Sequence, residues 1–288
     1  MSEENQMEEM SFLDHLEELR WHIMRSLIAV VTLMIVAFLS KEIIFDMILL
    51  APLKSDFWTY RQICTITQSF LDEGLFCMED IPLEMQNISM LGQFSTHLLT
   101  SFVAGIIIAF PYIFWEIWSF VKPALYGNEK KFAKGTVFSV SVLFFTGVLF
   151  GYFVLTPLSV NFFAHYTVSE SVKNLIQIKN YISYVTTIIL VCGVVFQLPV
   201  ASFFLARAGL ISSAFLVQYK KHAIVVIMIF SAIITPPDPV TQVGIAIPIY
   251  MIYQLSIIVS RKVERKRDRL ELLETAKSEE KLLDQITD

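Results

Sequence analysis

The sequence predicts an all-α integral membrane protein with six transmembrane helices, the last two of them short, and with both termini in the cytoplasm. The chain has 288 residues, of which 55% are hydrophobic and 17% are charged. A soluble domain carries roughly 25% charged residues and cannot bury this much apolar surface in one core. The excess apolar surface must therefore face lipid. The net charge of −5 gives no reason to expect nucleic acid as a partner.

Six apolar runs account for the predicted spans, because a helix needs about 20 residues to cross a bilayer. They are residues 21–39, 98–121, 136–155, 184–206, 223–234 and 243–259. The last two are short, and a helix over 223–234 covers only about 18 Å of a core near 30 Å thick. The loop between them is tight and rich in proline, which favours two separate short helices.

The distribution of lysine and arginine predicts the orientation, because cytoplasmic loops of membrane proteins carry an excess of both. With the N-terminus in the cytoplasm, all but five of the 22 basic residues fall on the cytoplasmic side. The chain then divides into a cytoplasmic amphipathic segment at 1–21, a transmembrane domain at 22–260 and a charged cytoplasmic tail at 261–288. Two outer loops are long, at about 41–97 and 158–180.

Cysteines and prolines add detail to this plan. Cys64 and Cys77 fall in the first outer loop, where an oxidising compartment would let them pair, and two unpaired thiols are an equal alternative. The three cysteines show no paired metal spacing, so no metal site is expected, and no cofactor is predicted. Prolines inside three spans predict kinks, and another proline is expected to close the third span. These prolines are Pro111, Pro199, Pro248 and, at the end of the third span, Pro157.

The segment before the first span has an amphipathic helical pattern. Phe12, Leu16 and Leu19 fall on one face of a helix, and Glu18 and Arg20 lie off that face. Taken alone, the pattern favours ordinary interfacial charges over a binding site. The second cytoplasmic feature, residues 118–131, is an aromatic belt that runs into a proline and glycine turn, and it is equally unspecific by itself.

Five short motifs, taken together and in order, resemble the TatC family, the polytopic subunit of the twin-arginine (Sec-independent) protein translocase. The resemblance extends over nearly all of residues 11–260. The motifs are His15-Leu16-x-Glu18-Leu19-Arg20, Ala51-Pro52-Leu53, Phe120-x-x-Pro123-x-Leu125-Tyr126-x-x-Glu129, Phe153-x-x-x-Pro157-Leu158 and Thr235-Pro236-Pro237-Asp238 followed by Gln242.

The resemblance implies a protein of the bacterial inner membrane that binds twin-arginine signal peptides of folded cargo proteins at its cytoplasmic face. It also implies that the protein nucleates a translocation complex driven by the proton-motive force. The residues that the resemblance assigns to signal-peptide binding are Glu18, Arg20, Phe120, Leu125 and Glu129. Charge-assisted hydrogen bonds between guanidinium groups and carboxylates agree with this assignment, because two separated carboxylates suit two arginines. Replacing Glu129 with lysine is expected to abolish peptide binding without preventing insertion.

The resemblance also implies partners in an oligomeric complex within membrane lipid. Small single-span subunits of the TatA and TatB types are expected to dock near Thr235 and Gln242. Hydrogen bonds between helices in lipid contribute about 1 kcal/mol each, enough to select a register. Pro52, Pro123 and Asp238 are expected to be structural, with Asp238 capping the turn between the two short helices.

Two positions depart from the family pattern. Family members commonly have a carboxylate in the fourth span, where this chain has Gln197, and Glu116 stands in the second span where a glutamine is expected. Because an ionisable group inside a span is costly, one hypothesis is that the carboxylate has moved to helix two within one shared polar pocket. The alternative is that Glu116 simply snorkels toward the inner boundary.

Two other classes of protein are less well supported. An intramembrane enzyme would need a nucleophile with a base, or a set of metal ligands, and the sequence offers no such catalytic residues. A secondary transporter of a small solute is the main alternative function. Such transporters usually show internal repeats and charged sites near the middle of the membrane. No repeat is visible, and Glu116 is the only carboxylate well inside a span.

Overall fold

The structure is a computed structural model that describes residues 12–70, 84–121, 133–167, 169, 175–207, 209–234 and 239–287. Most of the described residues are helical. The α-helices are α1 (Phe12–Leu39), α2 (Trp58–Phe70), α3 (Gly92–Val121), α4 (Ala133–Phe150), α5 (Thr156–His165), α6 (Ile178–Val195), α7 (Leu198–Arg207), α8 (Ser213–Gln218), α9 (Lys220–Ile234) and α10 (Pro239–Thr287). Short π-helical segments occur at Ile43–Leu49 and Gly151–Leu155, a 3₁₀ turn at Ala51–Leu53, and strands at β1 (Glu84–Gln86) and β2 (Leu175–Gln177).

Within the described residues, five helical stretches are long and apolar enough to cross a membrane. They are Leu16–Leu39, Gly92–Phe120, Gly135–Ala164, Ile178–Ala206 and Gln242–Arg269. Much of their apolar surface is exposed in the isolated chain, as on α1, where Leu27, Ile28 and Ile35 are all exposed. The predicted fifth span corresponds to α9, whose 15 residues cover about 22 Å.

The prediction of an all-α protein needs a small correction. Strands β1 and β2 pair in parallel, with Glu84 opposite Leu175 and Gln86 opposite Gln177. Both strands lie in the segments predicted as long outer loops, and only three residues of each take part. The first of these segments also holds two helical turns and α2, so it is a folded region. Sequence periodicity could not reveal strands this short, since they carry no alternating pattern of useful length.

The chain divides into two compact units, Met1–Leu143 with Thr167–Thr186, and Phe144–Tyr166 with Thr187–Asp288. In the first unit α1 packs along α3, and the closest approach is at Gly105. A Cβ atom at that position would lie 2.9 Å from both the Met34 amide nitrogen and the Val30 carbonyl oxygen. Small residues permit such close backbone approach between helices in a membrane.

Polar contacts join α1 and α3 near both ends of the pair. His97 Nε2 donates to the Phe38 carbonyl oxygen at 3.0 Å, and the two rings stack 4.0 Å apart. At the other end His22 Nδ1 lies 2.5 Å from Glu116 Oε2. His97 and Glu116 are separated by about 28 Å along α3, close to the thickness of a hydrocarbon core. Each polar contact therefore falls near one margin of the apolar stretch.

Also in the first unit, two tyrosines hydrogen-bond the backbone where the first π-helical segment ends and the 3₁₀ turn begins. The Tyr60 hydroxyl donates to the Pro52 carbonyl oxygen at 3.0 Å, and the Tyr181 hydroxyl donates to the Leu49 carbonyl oxygen at 2.8 Å. Burial raises the pKa of the Tyr60 hydroxyl well above its usual value. Cys64, in α2, is disulfide-bonded, whereas Cys77, its predicted partner, lies outside the described residues.

In the second unit, glycines allow the end of α4 and the following π-helical turn to approach α6. A Cβ atom at Gly147 would lie 2.5 Å from the Cys192 carbonyl oxygen, and one at Gly151 would lie 3.1 Å from the Ile189 Cα. This spacing of two glycines four residues apart is typical of close helix pairs in membranes. Pro157 does not close the span as predicted. It occupies the first turn of α5, where no backbone hydrogen bond is lost, and the helix continues.

Helix α10 runs without interruption through the predicted boundary at residue 260, over 49 residues. It also holds α8 in place within the second unit. The Ser213 amide donates to Glu264 Oε1 at 2.8 Å, and the Tyr253 hydroxyl donates to the Leu216 carbonyl oxygen at 2.7 Å. The predicted charged tail therefore begins as a structural part of this helix. Helix α1 is likewise continuous from Phe12 to Leu39.

Candidate functional site

Glu116 is the most deeply buried charged side chain among the described residues, with 1% of its surface exposed. It lies on α3, four residues before Phe120, and its Oε2 accepts a hydrogen bond from His22 Nδ1 at 2.5 Å. A buried carboxylate needs such a partner, because an unpaired charge in an apolar interior costs several kcal/mol. The carboxylate is therefore enclosed by protein and paired with His22, and the alternative that Glu116 snorkels toward the inner boundary stays a prediction.

Glu18 lies one helical turn before His22 on α1. Its Oε1 is 3.9 Å from His22 Nε2, so each ring nitrogen of the histidine faces a different carboxylate. The Glu18 side chain is 39% exposed, whereas that of His22 is only 13% exposed. Glu18 Oε2 has no hydrogen-bond partner within the described part of the chain. One oxygen of Glu18 thus faces the imidazole, and the other is buried, although the side chain as a whole is partly exposed.

Phe120 contacts the same imidazole. Its ring centre is 6.1 Å from that of His22, with an interplanar angle of 63°. Phe120 is half-buried at the end of α3. The structure therefore brings the predicted site residues Glu18 and Phe120 to one place, both next to His22. A partly exposed carboxylate beside an aromatic ring can accept a guanidinium group and contact the apolar residues that follow it.

Arg20, which was also predicted to bind the peptide, is not part of this cluster. Its side chain is exposed, with its guanidinium 3.9 Å from Glu17 Oε1 and 5.9 Å from the centre of the Trp21 ring. Residues two positions apart on a helix do not share a face, so Arg20 and Glu18 point in different directions. An exposed ion pair of this kind contributes less than about 1 kcal/mol.

The family of the chain follows from comparison with known proteins. The family model for TatC, the Sec-independent protein translocase protein, matches residues 14–248. The chain belongs to the TatC family. It is accordingly a multi-pass membrane protein and a subunit of the twin-arginine protein translocase.

Two TatC relatives are similar to this chain over nearly their whole length. The protein from Blattabacterium sp. subsp. Periplaneta americana is 39% identical over 264 residues, covering 91% of this chain and 99% of the relative. The protein from Desulforapulum autotrophicum is 35% identical over 281 residues, covering 98% and 95%. A crystal structure of the twin arginine translocase receptor TatC superposes with a TM-score of 0.68 at 29% identity, covering 86% of this chain and 99% of that one.

Several residues that the TatC resemblance assigned to the site lie outside the described residues and stay predictions. They are Pro123, Leu125, Glu129, Thr235 and Asp238. The other assigned residues are described. Pro52 is buried in its 3₁₀ turn, and its structural role stays a prediction. Gln242 Nε2 donates to the Met228 carbonyl oxygen at 3.2 Å, which joins α10 to α9 within the chain.

Gln197, the position where TatC proteins commonly have a carboxylate, lies in the turn between α6 and α7. Its Nε2 donates to the Gly193 carbonyl oxygen at 3.3 Å, and its Oε1 has no hydrogen-bond partner among the described residues. Gln197 and Glu116 belong to different units, each of which is described by itself. The hypothesis of a shared polar pocket for these two residues stays a prediction.

His22 is the residue of this cluster that the sequence motifs did not indicate. A signal for it was present, because Glu18 and His22 are four residues apart and therefore share a helix face. The partner Glu116 is 94 residues away in sequence. Without knowledge of how α1 packs on α3, nothing in the sequence joins these two side chains. The contact is a product of tertiary structure.

Proposed function

We propose that this TatC protein binds twin-arginine signal peptides of folded proteins at its cytoplasmic face, with Glu18 as an arginine ligand and Phe120 as the neighbouring apolar contact. One observation carries the proposal. In a chain of the TatC family, a partly exposed carboxylate and a half-buried aromatic ring both lie next to one imidazole, at the end of the α1–α3 pair.

The chemistry of this surface suits an arginine side chain. A guanidinium group is planar and presents paired N–H donors that match the two oxygens of a carboxylate. Glu18 lies partly within protein, so it is less screened by water than a fully exposed carboxylate would be. Hydrogen bonds to charged groups contribute about 1.5–3 kcal/mol, against less than about 1 kcal/mol for an exposed ion pair. The Phe120 ring offers an apolar surface for residues next to the arginines.

Glu129 would supply the second carboxylate of the site, and Leu125 would extend its apolar side. Pro123 would shape the turn that precedes both of them. Two carboxylates on separate segments match a ligand with two adjacent arginines, because one carboxylate cannot form bidentate contacts with both. The segment of α1 that carries Glu18 and the loop that carries Glu129 both lie on the cytoplasmic side in the orientation that lysine and arginine favour.

The wider function follows from the same proposal. The protein lies in the bacterial inner membrane with both termini in the cytoplasm, and it acts without enzymatic chemistry of its own. Once a signal peptide is bound, it nucleates a complex with small single-span subunits of the TatA and TatB types. Thr235 and Gln242, near the junction of α9 and α10, are the proposed contacts. The proton-motive force drives transport.

Binding of matched peptides tests the proposal. The protein in lipid nanodiscs is titrated with a fluorescent signal peptide that carries an arginine pair, and with the same peptide carrying a lysine pair. The arginine peptide is expected to bind at least about tenfold more tightly, because an ammonium group cannot form the planar, paired contact with a carboxylate. Equal affinities would contradict the proposal, since simple charge attraction would then explain the binding.

A further inference from the structure

A chain of polar contacts connects the buried carboxylate of α3 to the proposed arginine ligand on α1. His22 Nδ1 hydrogen-bonds Glu116, and the opposite nitrogen of His22 lies 3.9 Å from Glu18. Exposure rises along this chain, from 2% for the Glu116 side chain to 13% for His22 and 39% for Glu18. The end of the chain of contacts at Glu116 is buried, and the end at Glu18 reaches the surface.

We propose that His22 is a positioning residue of the signal-peptide site. Glu116 holds the imidazole, and the imidazole holds Glu18 in the orientation that receives an arginine. Glu116 therefore acts on peptide binding through His22, without touching the peptide. The inference rests on the proposed function, because it assigns a role in a site whose ligand is the arginine pair.

The physical reason is the conformational freedom of the glutamate. A free Glu side chain has several rotatable bonds, and it loses rotamer entropy when a ligand fixes it. A contact that restricts Glu18 before the peptide arrives removes part of this cost, which is the general advantage of a preorganised site. His22 can restrict Glu18 only because its own ring is fixed. Two contacts fix the ring, the short hydrogen bond to Glu116 and the edge contact with Phe120.

The competing explanation is that the His22–Glu116 pair only holds α1 against α3. Exchanging the two residues separates these roles. The double variant His22→Glu with Glu116→His keeps a buried pair of the same two side chains at the helix interface. It also places a carboxylate one turn from Glu18, and like charges at that spacing repel each other. If the pair is only structural, the exchanged variant still prefers the arginine-pair peptide. If His22 positions Glu18, the exchanged variant loses this preference.

The readout is the ratio of the affinities for the arginine-pair and lysine-pair peptides, measured in nanodiscs together with the melting temperature. A purely structural role changes how much protein is folded, but it does not change this ratio for the folded protein. The exchanged variant is expected to melt close to the wild type and to bind both peptides equally. The neutral pair His22→Gln with Glu116→Gln keeps a hydrogen bond without either charge, and its ratio is expected to fall about tenfold.

Each outcome decides between the explanations. A wild-type ratio in the neutral pair overturns the positioning role, whether or not the exchanged variant folds. A wild-type ratio in the exchanged variant overturns it as well. Glu18→Gln, measured beside them, keeps the two proposals apart. If Glu18→Gln leaves the ratio of affinities unchanged, the proposed function fails. If Glu18→Gln makes the two affinities equal while the neutral pair keeps the wild-type ratio, only the role of His22 fails.

Discussion

Replacing Glu18 with glutamine is expected to weaken binding of an arginine-pair signal peptide at least about 30-fold, or about 2 kcal/mol. The amide is nearly the same size as the carboxylate, so the packing of α1 is preserved. It carries no charge, and its nitrogen is a donor that faces another donor when a guanidinium group arrives. Fluorescence titration of the purified variant in nanodiscs measures the effect.

Glu17→Gln is the matched control, because it makes the same chemical change one residue away. Glu17 is exposed and pairs only weakly with Arg20 at 3.9 Å. Its replacement is expected to change the affinity by less than about twofold. If both variants lose the same affinity, the general negative charge of α1 attracts the peptide. Glu18 would then not be a specific ligand.

Gly105→Leu is expected to prevent α1 from packing on α3. Even the first carbon of a side chain would lie 2.9 Å from two backbone atoms of α1, and backbone cannot move aside as a flexible side chain can. Overpacking of this kind typically costs 1–3 kcal/mol or more, so the melting temperature is expected to fall by about 10 °C. Thermal unfolding and gel filtration in detergent measure the loss.

Gly135→Leu provides the control for this variant. Gly135 lies in the first turn of α4, and a Cβ atom there would have nothing within 4 Å. The same substitution is expected to leave the melting temperature within about 2 °C of the wild type. A comparable loss at both positions would mean that leucine in a span is itself harmful, and the close contact at Gly105 would not be the cause.

The transmembrane helices could be predicted from the sequence because the signal for them is long. A helix needs about 20 residues to cross a bilayer, and the four longer predicted runs are of that length, which hardly occurs by chance. The helix that carries Glu18 could also be predicted, because Phe12, Leu16 and Leu19 have helical spacing. Both inferences use only neighbours along the chain.

The features that the sequence did not reveal depend on contacts between distant segments. The hydrogen bond between His22 and Glu116 exists because α1 packs on α3 in one register, and local spacing does not specify that register. Strands β1 and β2 are three residues long and pair across about 90 positions, which leaves no periodic pattern to detect. Pro157 was misread as a terminator, although a proline in the first turn of a helix breaks no hydrogen bond.

Photo-crosslinking tests the placement of the arginine site most directly. A photoreactive phenylalanine analogue is introduced at Phe120, beside His22 and Glu18, and in a second variant at Phe94, which is exposed near the opposite end of α3. The two positions lie about 39 Å apart along the helix. A signal peptide with an arginine pair is expected to crosslink at Phe120 and not at Phe94. Labelling at Phe94 alone, or at both positions equally, would contradict a site at the Glu18 end of α1 and α3.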